Sequence, residues 1–267
     1  MSFKRKILAI AASLPLIAGL GAASALSASA ATPSCGSNCI DVFSKNFSAS
    51  FHHPLFVMDV YKQAQNVGQP IILFRTSNSD PAEDFTLGAE GQVSDFFQAG
   101  LVSSSLNLHY GCGYNINEAK CTGINPVTGI PYPDDYALEI EYAPFGADTG
   151  LCVGLASGAT LNEKVTLQAC GVSSKTVWVV DTVDSCPSNS LYSAELPVIN
   201  GSDTNFSHPL VLDYPASGYP TDLPRPQLFV GGLTGFSQSS GSGPCGTGSI
   251  VGPDSNQLWT ATAGVLP

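Results

Sequence analysis

Residues 205–213 read N-F-S-H-P-L-V-L-D, and the wording has a counterpart near the start of the chain, where residues 46–59 read N-F-S-A-S-F-H-H-P-L-F-V-M-D. Both stretches run into an apolar strand that ends on an aspartate, Asp213 in one and Asp59 in the other. A third stretch, Leu151-Cys152-Val153-Gly154-Leu155, keeps the apolar rhythm with Gly154 in the aspartate position. The next segment of each unit repeats as well. Turn-forming residues lead to a second apolar run in each case: Ile71-Ile72-Leu73-Phe74, Val165-Thr166-Leu167-Gln168-Ala169-Cys170, and Leu228-Phe229 after Pro226-Gln227. Each unit then closes on an aromatic: Phe85 in D-F-T, Trp178 in V-W-V, Trp259 in Q-L-W-T. The chain has 2 tryptophans and both fall at this station, which chance placement explains poorly. Three β units that share a bulky aromatic predict one closed β structure with pseudo-threefold order, because no unit can bury its apolar face alone.

Composition points the same way. The 267 residues include 27 Gly and 19 Pro but only 12% charged residues. Long helices need the opposite balance, so an all-β fold with many turns is expected, and a single barrel or sandwich can occupy the length. The first 30 residues have a composition of their own. Lys4, Arg5 and Lys6 precede an apolar run from Ile7 to about Leu20 and an Ala/Ser stretch, with Ala28-Ser29-Ala30 as a cleavage site. That order is a secretory signal, too short in its apolar part for a spanning helix, and predicts an extracellular, secreted protein. Its removal takes away three basic residues and no acidic ones, moving the net charge from −11 to −14. So acidic a chain repels phosphate backbones and anionic lipids, which excludes nucleic acid and membrane insertion as expectations. All 8 cysteines lie beyond the cleavage site, and an even count in an exported chain predicts disulfides. No metal and no cofactor is expected. The four histidines form no H-x-x-x-H pair, and the acidic stretches at Asp80 and Asp134-Asp135 lack EF-hand spacing.

Taken together, the units resemble the ricin B-type (QxW) β-trefoil lectin family, whose repeats run Cys-Leu-Asp, Val-x-Leu-aromatic, Asn-Gln-x-Trp. The third unit matches best, with Asp213, Leu228-Phe229 and Asn256-Gln257-Leu258-Trp259. The second supplies the cysteine pair Cys152 and Cys170 but lacks the aspartate and the aromatic plate; the first keeps Asp59 and Phe74 and ends in Glu83-Asp84-Phe85. The resemblance implies a disulfide-stapled β-trefoil with three degenerate repeats and loop insertions. Its domain would span residues 51–267, after an N-terminal extension over 31–50, with repeats at about 51–96, 136–185 and 204–267 and an insertion at 97–135. It also places Phe85, Trp178 and Trp259 in the core. Nearest-neighbour pairing together with the family suggests the disulfide Cys152–Cys170, then Cys112–Cys121 and Cys35–Cys39, leaving Cys186 for Cys245.

The residues of the third unit suit a sugar on chemical grounds too. A pyranose offers hydroxyls along its edge and C–H bonds on one face. Asp213 can accept from two hydroxyls, Asn256 can donate and accept, Phe229 can lie against the C–H face, and Gln257 suits holding the carboxylate in place. The plainer reading gives Asp213 to turn amides and Phe229 to the core. In the first unit Asp59 and Phe74, completed by Asn78 or Glu83, form a weaker second site, because another carboxylate repels Asp59. The second unit, with Gly154 and Gln168, offers none. Glu139 and Glu141 share one strand face in L-E-I-E-Y, a pattern that can serve glycoside cleavage but is common on strands, and no nucleophile elbow or metalloprotease helix occurs. The expectation is therefore a non-enzymatic, secreted, lectin-like carbohydrate-binding protein whose partner is an extracellular glycan or polysaccharide. The alternative is a trefoil scaffold for protein–protein contact or inhibition with its sugar sites lost.

Overall fold

The apolar runs fold as short strands wherever β-branched and aromatic residues are bounded by turn formers. In the computed structural model, residues 39–44, 56–75, 80–111, 136–180, 197–205, 208–215, 227–233 and 255–261 are described, all within the compact unit Ala31–Pro267. Among them are β1 (Val42–Ser44), β2 (Phe56–Val60), β3 (Ile71–Arg75), β4 (Phe85–Gln92), β5 (Tyr136–Tyr142), β6 (Leu151–Leu155), β7 (Val165–Ala169), β8 (Val177–Val180), β9 (Val198–Asn200), β10 (Leu210–Asp213), β11 (Phe229–Gly232) and β12 (Trp259–Ala261). The protein is mostly β-sheet. One sheet has the order β12-β1-β2-β3, the other β11-β10-β9-β8-β5-β6-β7 with β4 also paired to β5.

Three antiparallel hairpins, β2–β3, β6–β7 and β10–β11, carry the repeated runs. The first turns at Gly68, whose φ of +84° is open to glycine and strained for other residues. The hairpins bridge one another in a cycle: Pro70 with Thr166, Lys164 with Phe229, and Gln227 with Ile72. Each hairpin thus satisfies backbone groups of the next. Across the second hairpin a disulfide joins Cys152 and Cys170, with Cα atoms 5.0 Å apart. A crosslink over so short a loop stabilises by about 3 kcal/mol in the chain-entropy account. Cys39 is disulfide-bonded too, to a cysteine outside the described residues. The expected pairs of Cys35, Cys112, Cys121, Cys186 and Cys245 also lie outside, as do residues 1–38 with the expected signal sequence.

The aromatic stations are equivalent in structure. Short 3-10 turns at Pro81–Glu83, Ser174–Thr176 and Ser255–Gln257 precede Phe85, Trp178 and Trp259, and all three rings sit in one buried cluster. Trp178 Nε1 donates to Val153 O at 2.9 Å and Trp259 Nε1 to Leu212 O at 3.0 Å, in each case the carbonyl just before the aspartate position. Phe85 has no N–H and instead packs on Tyr142, ring centres 5.9 Å apart. A second apolar cluster forms where two helices cover part of the sheet. The insertion expected from residue 97 is not all loop: the chain is helical in α1 (Val93–Gln98) and α2 (Ser104–Tyr110), whose Val93, Phe96, Leu106 and Tyr110 pack with Val177, Val179, Ile199 and Val211. Ser103 caps α2 by accepting from Leu106 N at 3.2 Å. Among the described residues no helix is long and apolar enough to cross a membrane.

Candidate functional site

Register decides what the third unit brings together. Asp213 ends β10 directly opposite Phe229, the first residue of β11. The neighbouring pair, Leu212 and Val230, belongs to the core cluster, so strand alternation puts Asp213 and Phe229 together on the other face. Asp213 is buried, 5% exposed. Its Oδ1 accepts from Asn256 Nδ2 and from Tyr214 N, both at 2.6 Å, and its Oδ2 accepts from Gln257 Nε2 at 2.9 Å. The same amides also donate to the backbone, Asn256 to Tyr214 O at 3.1 Å and Gln257 to Gly232 O at 2.8 Å. These three side chains therefore lock the end of the hairpin to the turn before Trp259. Phe229 is half-buried, and Lys164 Nζ lies 5.2 Å from its ring centre, a cation on the aromatic face.

The carboxylate occupies this place because β11 carries glycine beside it. A Cβ on Gly231 would overlap Asp213 Oδ2, whereas one on Gly232 would meet nothing within 4 Å. Gly231→Ala is expected to cost about 1–3 kcal/mol by overpacking, and Gly232→Ala to stay within about 0.5 kcal/mol. Urea denaturation of the two variants checks the contrast. In an Asp213→Ala background the Gly231→Ala penalty should shrink, since the atom it strikes is gone.

In the first unit Asp59 pairs with Ile72, and Phe74 stands one pair along each strand's same face, opposite Val57. The cyclic bridges agree: Ile72, Thr166 and Phe229 each bridge the residue two before that station in another hairpin, Gln227, Pro70 and Lys164 respectively, so Ile72 holds in this unit the station that Phe229 holds in the third. Asn78 lies outside the described residues. Glu83 stands at the Gln257 station. One carboxylate oxygen from each of Asp59, Asp80 and Glu83 falls within 4.8 Å of the others. Asp80 Oδ1 also accepts from Ala82 N at 3.0 Å and Gln63 Nε2 at 2.8 Å. In the second unit a Cβ on Gly154 would meet Lys175 O at 2.8 Å, so an acidic side chain has no room there, and Gln168 Nε2 donates to Thr166 Oγ1 at 2.8 Å.

Glu139 and Glu141 are both buried, not displayed on an open strand face. Glu139 Oε1 accepts from Thr176 Oγ1 at 2.5 Å and Gly171 N at 2.8 Å, and Glu141 Oε1 accepts from Gly150 N at 2.7 Å. Each holds a turn. Asp41 is buried as well, and burial, followed by the charge of Asp84, raises its carboxyl from 3.8 to about 7.

One exposed surface escapes the repeat pattern. A cleft of about 540 Å³ lies between residues 61–65 and the turn after β5, its walls including Gln63, Gln65, Tyr142, Phe145 and Asp148. Phe145 is 73% exposed and holds a left-handed φ of 56°. For a bulky residue such a backbone costs about 1–3 kcal/mol. Motif and repeat patterns do not single out Pro144-Phe145-Gly146, although an aromatic set between proline and glycine in a turn is a readable signal.

No family of known proteins matches the sequence, and no curated protein does. Among solved structures, the chain is similar to a designed 3-fold symmetric protein, ThreeFoil, at 8% identity and a TM-score of 0.43, over 84% of this chain and 97% of that one. It is similar also to a mosquitocidal holotoxin (12% identity, TM-score 0.42, 84% of this chain, 17% of that one). A third likeness is to an exo-beta-1,3-galactanase from Clostridium thermocellum (10% identity, TM-score 0.41, 84% of this chain), of whose length the match spans 29%.

Proposed function

We propose that this chain is an exported, non-catalytic protein of lectin type, built as a β-trefoil and binding an extracellular glycan through its third unit. The cyclic bridging of three hairpins and the matched stations of Phe85, Trp178 and Trp259 support the trefoil reading. The observation that carries the glycan reading is the Asp213 carboxylate, held at one oxygen by Asn256 and at the other by Gln257, on the same hairpin face as Phe229. A fixed carboxylate beside an aromatic plate is what recognition of a sugar edge requires. A disulfide across the second hairpin supports an oxidising compartment.

The test is a glycan array followed by calorimetry on the retained glycan. Asp213→Ala should remove charge-assisted hydrogen bonds of about 1.5–3 kcal/mol, a loss of roughly tenfold to a hundredfold in affinity. Asp213→Asn keeps the size of the side chain but turns one acceptor into a donor against the amides of Asn256 or Gln257, so melting temperature is the control for folding, and Asp59→Ala should cost less because its hairpin partner is Ile72. The scaffold reading has its own observation, the Lys164 ammonium over Phe229 beside a carboxylate only 5% exposed. Absence of any retained glycan would favour it.

A further inference from the structure

The cleft between residues 61–65 and 144–149 has features that folding alone does not explain. Phe145 presents its ring to water from a strained backbone, with 73% of the residue exposed. Its mount is rigid. The Phe145 amide donates to Asp84 Oδ2 at 2.9 Å, Asp84 is fully buried, and Pro144 beside it is buried too. The facing loop is strained in the same sense, with φ of 60° at Lys62 and 56° at Gln63. An exposed aromatic held this way gains nothing from burial, so its orientation is the property being maintained.

The polar groups around it are set for hydroxyls. Tyr142 stands behind the cleft wall, completely buried, and among the described residues its hydroxyl has no hydrogen-bond partner. Asp148 is exposed and steadied by Thr86, whose hydroxyl donates to its Oδ1 at 3.1 Å. Gln65 is exposed, and Gln63 is steadied by its bond to Asp80. Burial first, then the charges of Asp59, Asp80 and Asp84, raise the Tyr142 phenol, which therefore stays protonated and able to donate. With the exposed Asp148 carboxylate in its wall, the cleft disfavours acidic sugars.

We propose that this cleft is a glycan site separate from the third unit, taking a neutral pyranose whose C–H face lies on Phe145 and whose hydroxyls are met by the exposed Asp148 and Gln65. The site rests on the glycan-binding reading but not on the third unit. It differs from the Asp213 site in every residue.

The test uses the purified full chain, as the parent and with the third-unit site silenced by Asp213→Ala, and saturation-transfer NMR with the methyl glycosides of glucose, galactose, mannose and N-acetylglucosamine, with methyl glucuronide as the acidic counterpart; the Phe145 variants are made in the Asp213→Ala background. Binding of at least one neutral glycoside is expected, with the glucuronide weaker. Phe145→Ala should weaken it about tenfold. Phe145→Gly is the decisive variant, because glycine relieves the backbone. It should lose binding while its melting temperature stays level or rises, whereas a structural ring would lower it. Binding that is lost in Asp213→Ala with Phe145 intact overturns the cleft and leaves the third-unit site standing, and binding that survives both Phe145 substitutions in the folded Asp213→Ala protein overturns the cleft as well. No neutral glycoside binding at all overturns both.

Discussion

Trp259→Ala is expected to lower stability by about 3–5 kcal/mol, the range for removing a buried aromatic, with Trp178→Ala close behind. Both rings are essentially fully buried in the cluster that unites the three units, so neither void can be filled by a small local shift. Each also meets a carbonyl that would otherwise be buried without a donor, Leu212 O for Trp259 and Val153 O for Trp178. Trp→Phe separates the contributions. It keeps most of the ring and strands the carbonyl, for about 1–3 kcal/mol. The first unit already uses phenylalanine at this station, with Tyr142 against it, so Phe85 has no N–H bond to lose and Phe85→Ala reports ring burial by itself. Urea denaturation monitored by circular dichroism measures all of these. A loss below about 1 kcal/mol for Trp259→Ala would mean that the aromatic stations do not organise the core.

Asp41 governs a second large effect, this one dependent on pH. Its carboxyl is raised by burial and by Asp84 to about 7, so the folded protein binds a proton there that the unfolded chain releases near 3.8. The stabilisation is fully present below about pH 4 and is lost as pH rises through 7. The magnitude is up to about 4 kcal/mol at 1.36 kcal/mol for each pH unit. Asp41→Asn holds the neutral form at every pH. Relative to the parent it should gain stability steadily between pH 4 and 8, in melting temperatures taken across that range. A parent that instead gains on the variant with rising pH would show Asp41 ionised and paired within the fold.

The repeat pattern was legible because tryptophan is rare in this chain, 2 residues, and the aromatic stations are fixed by packing. The third-unit trio of Asp213, Asn256 and Gln257 is named through the family resemblance, and the structure brings the three together, with Asp213 also accepting from the Tyr214 amide as the plainer turn reading has it. Phe229 shows where spacing fails. Counting along the chain aligns it with Phe74 and Gln168, but those two stand opposite the residue two before the aspartate position, where the third hairpin has Gly231, and Phe229 stands with Ile72 and Thr166; a strand's two-residue period makes such a shift invisible in sequence. Glu139 and Glu141 alternate with apolar residues and so look solvent-facing, yet turn amides at Gly171 and Gly150 bring them inside. Helices α1 and α2 are too short for a periodic signal and are secured by packing against β8, β9 and β10. The Phe145 cleft joins loops from two different units, and no local reading brings residue 63 to residue 145.

The pairing of β1 with β12, Val42 beside Ala261 and Ser44 beside Trp259, bears on how the molecule reaches its native state. The earliest strand among the described residues shares one edge with β2 and must wait for β12, more than 200 residues on, to cover the other. Until then Val42 and Phe43, both buried at the end, belong to an unfinished sheet with an open edge. Closure over so great a sequence distance demands loop entropy before it returns contacts, which places the chain among slow folders. A chain emerging N-terminus first therefore spends its vulnerable period with β1 half-partnered, and that strand is where premature association with another copy would begin.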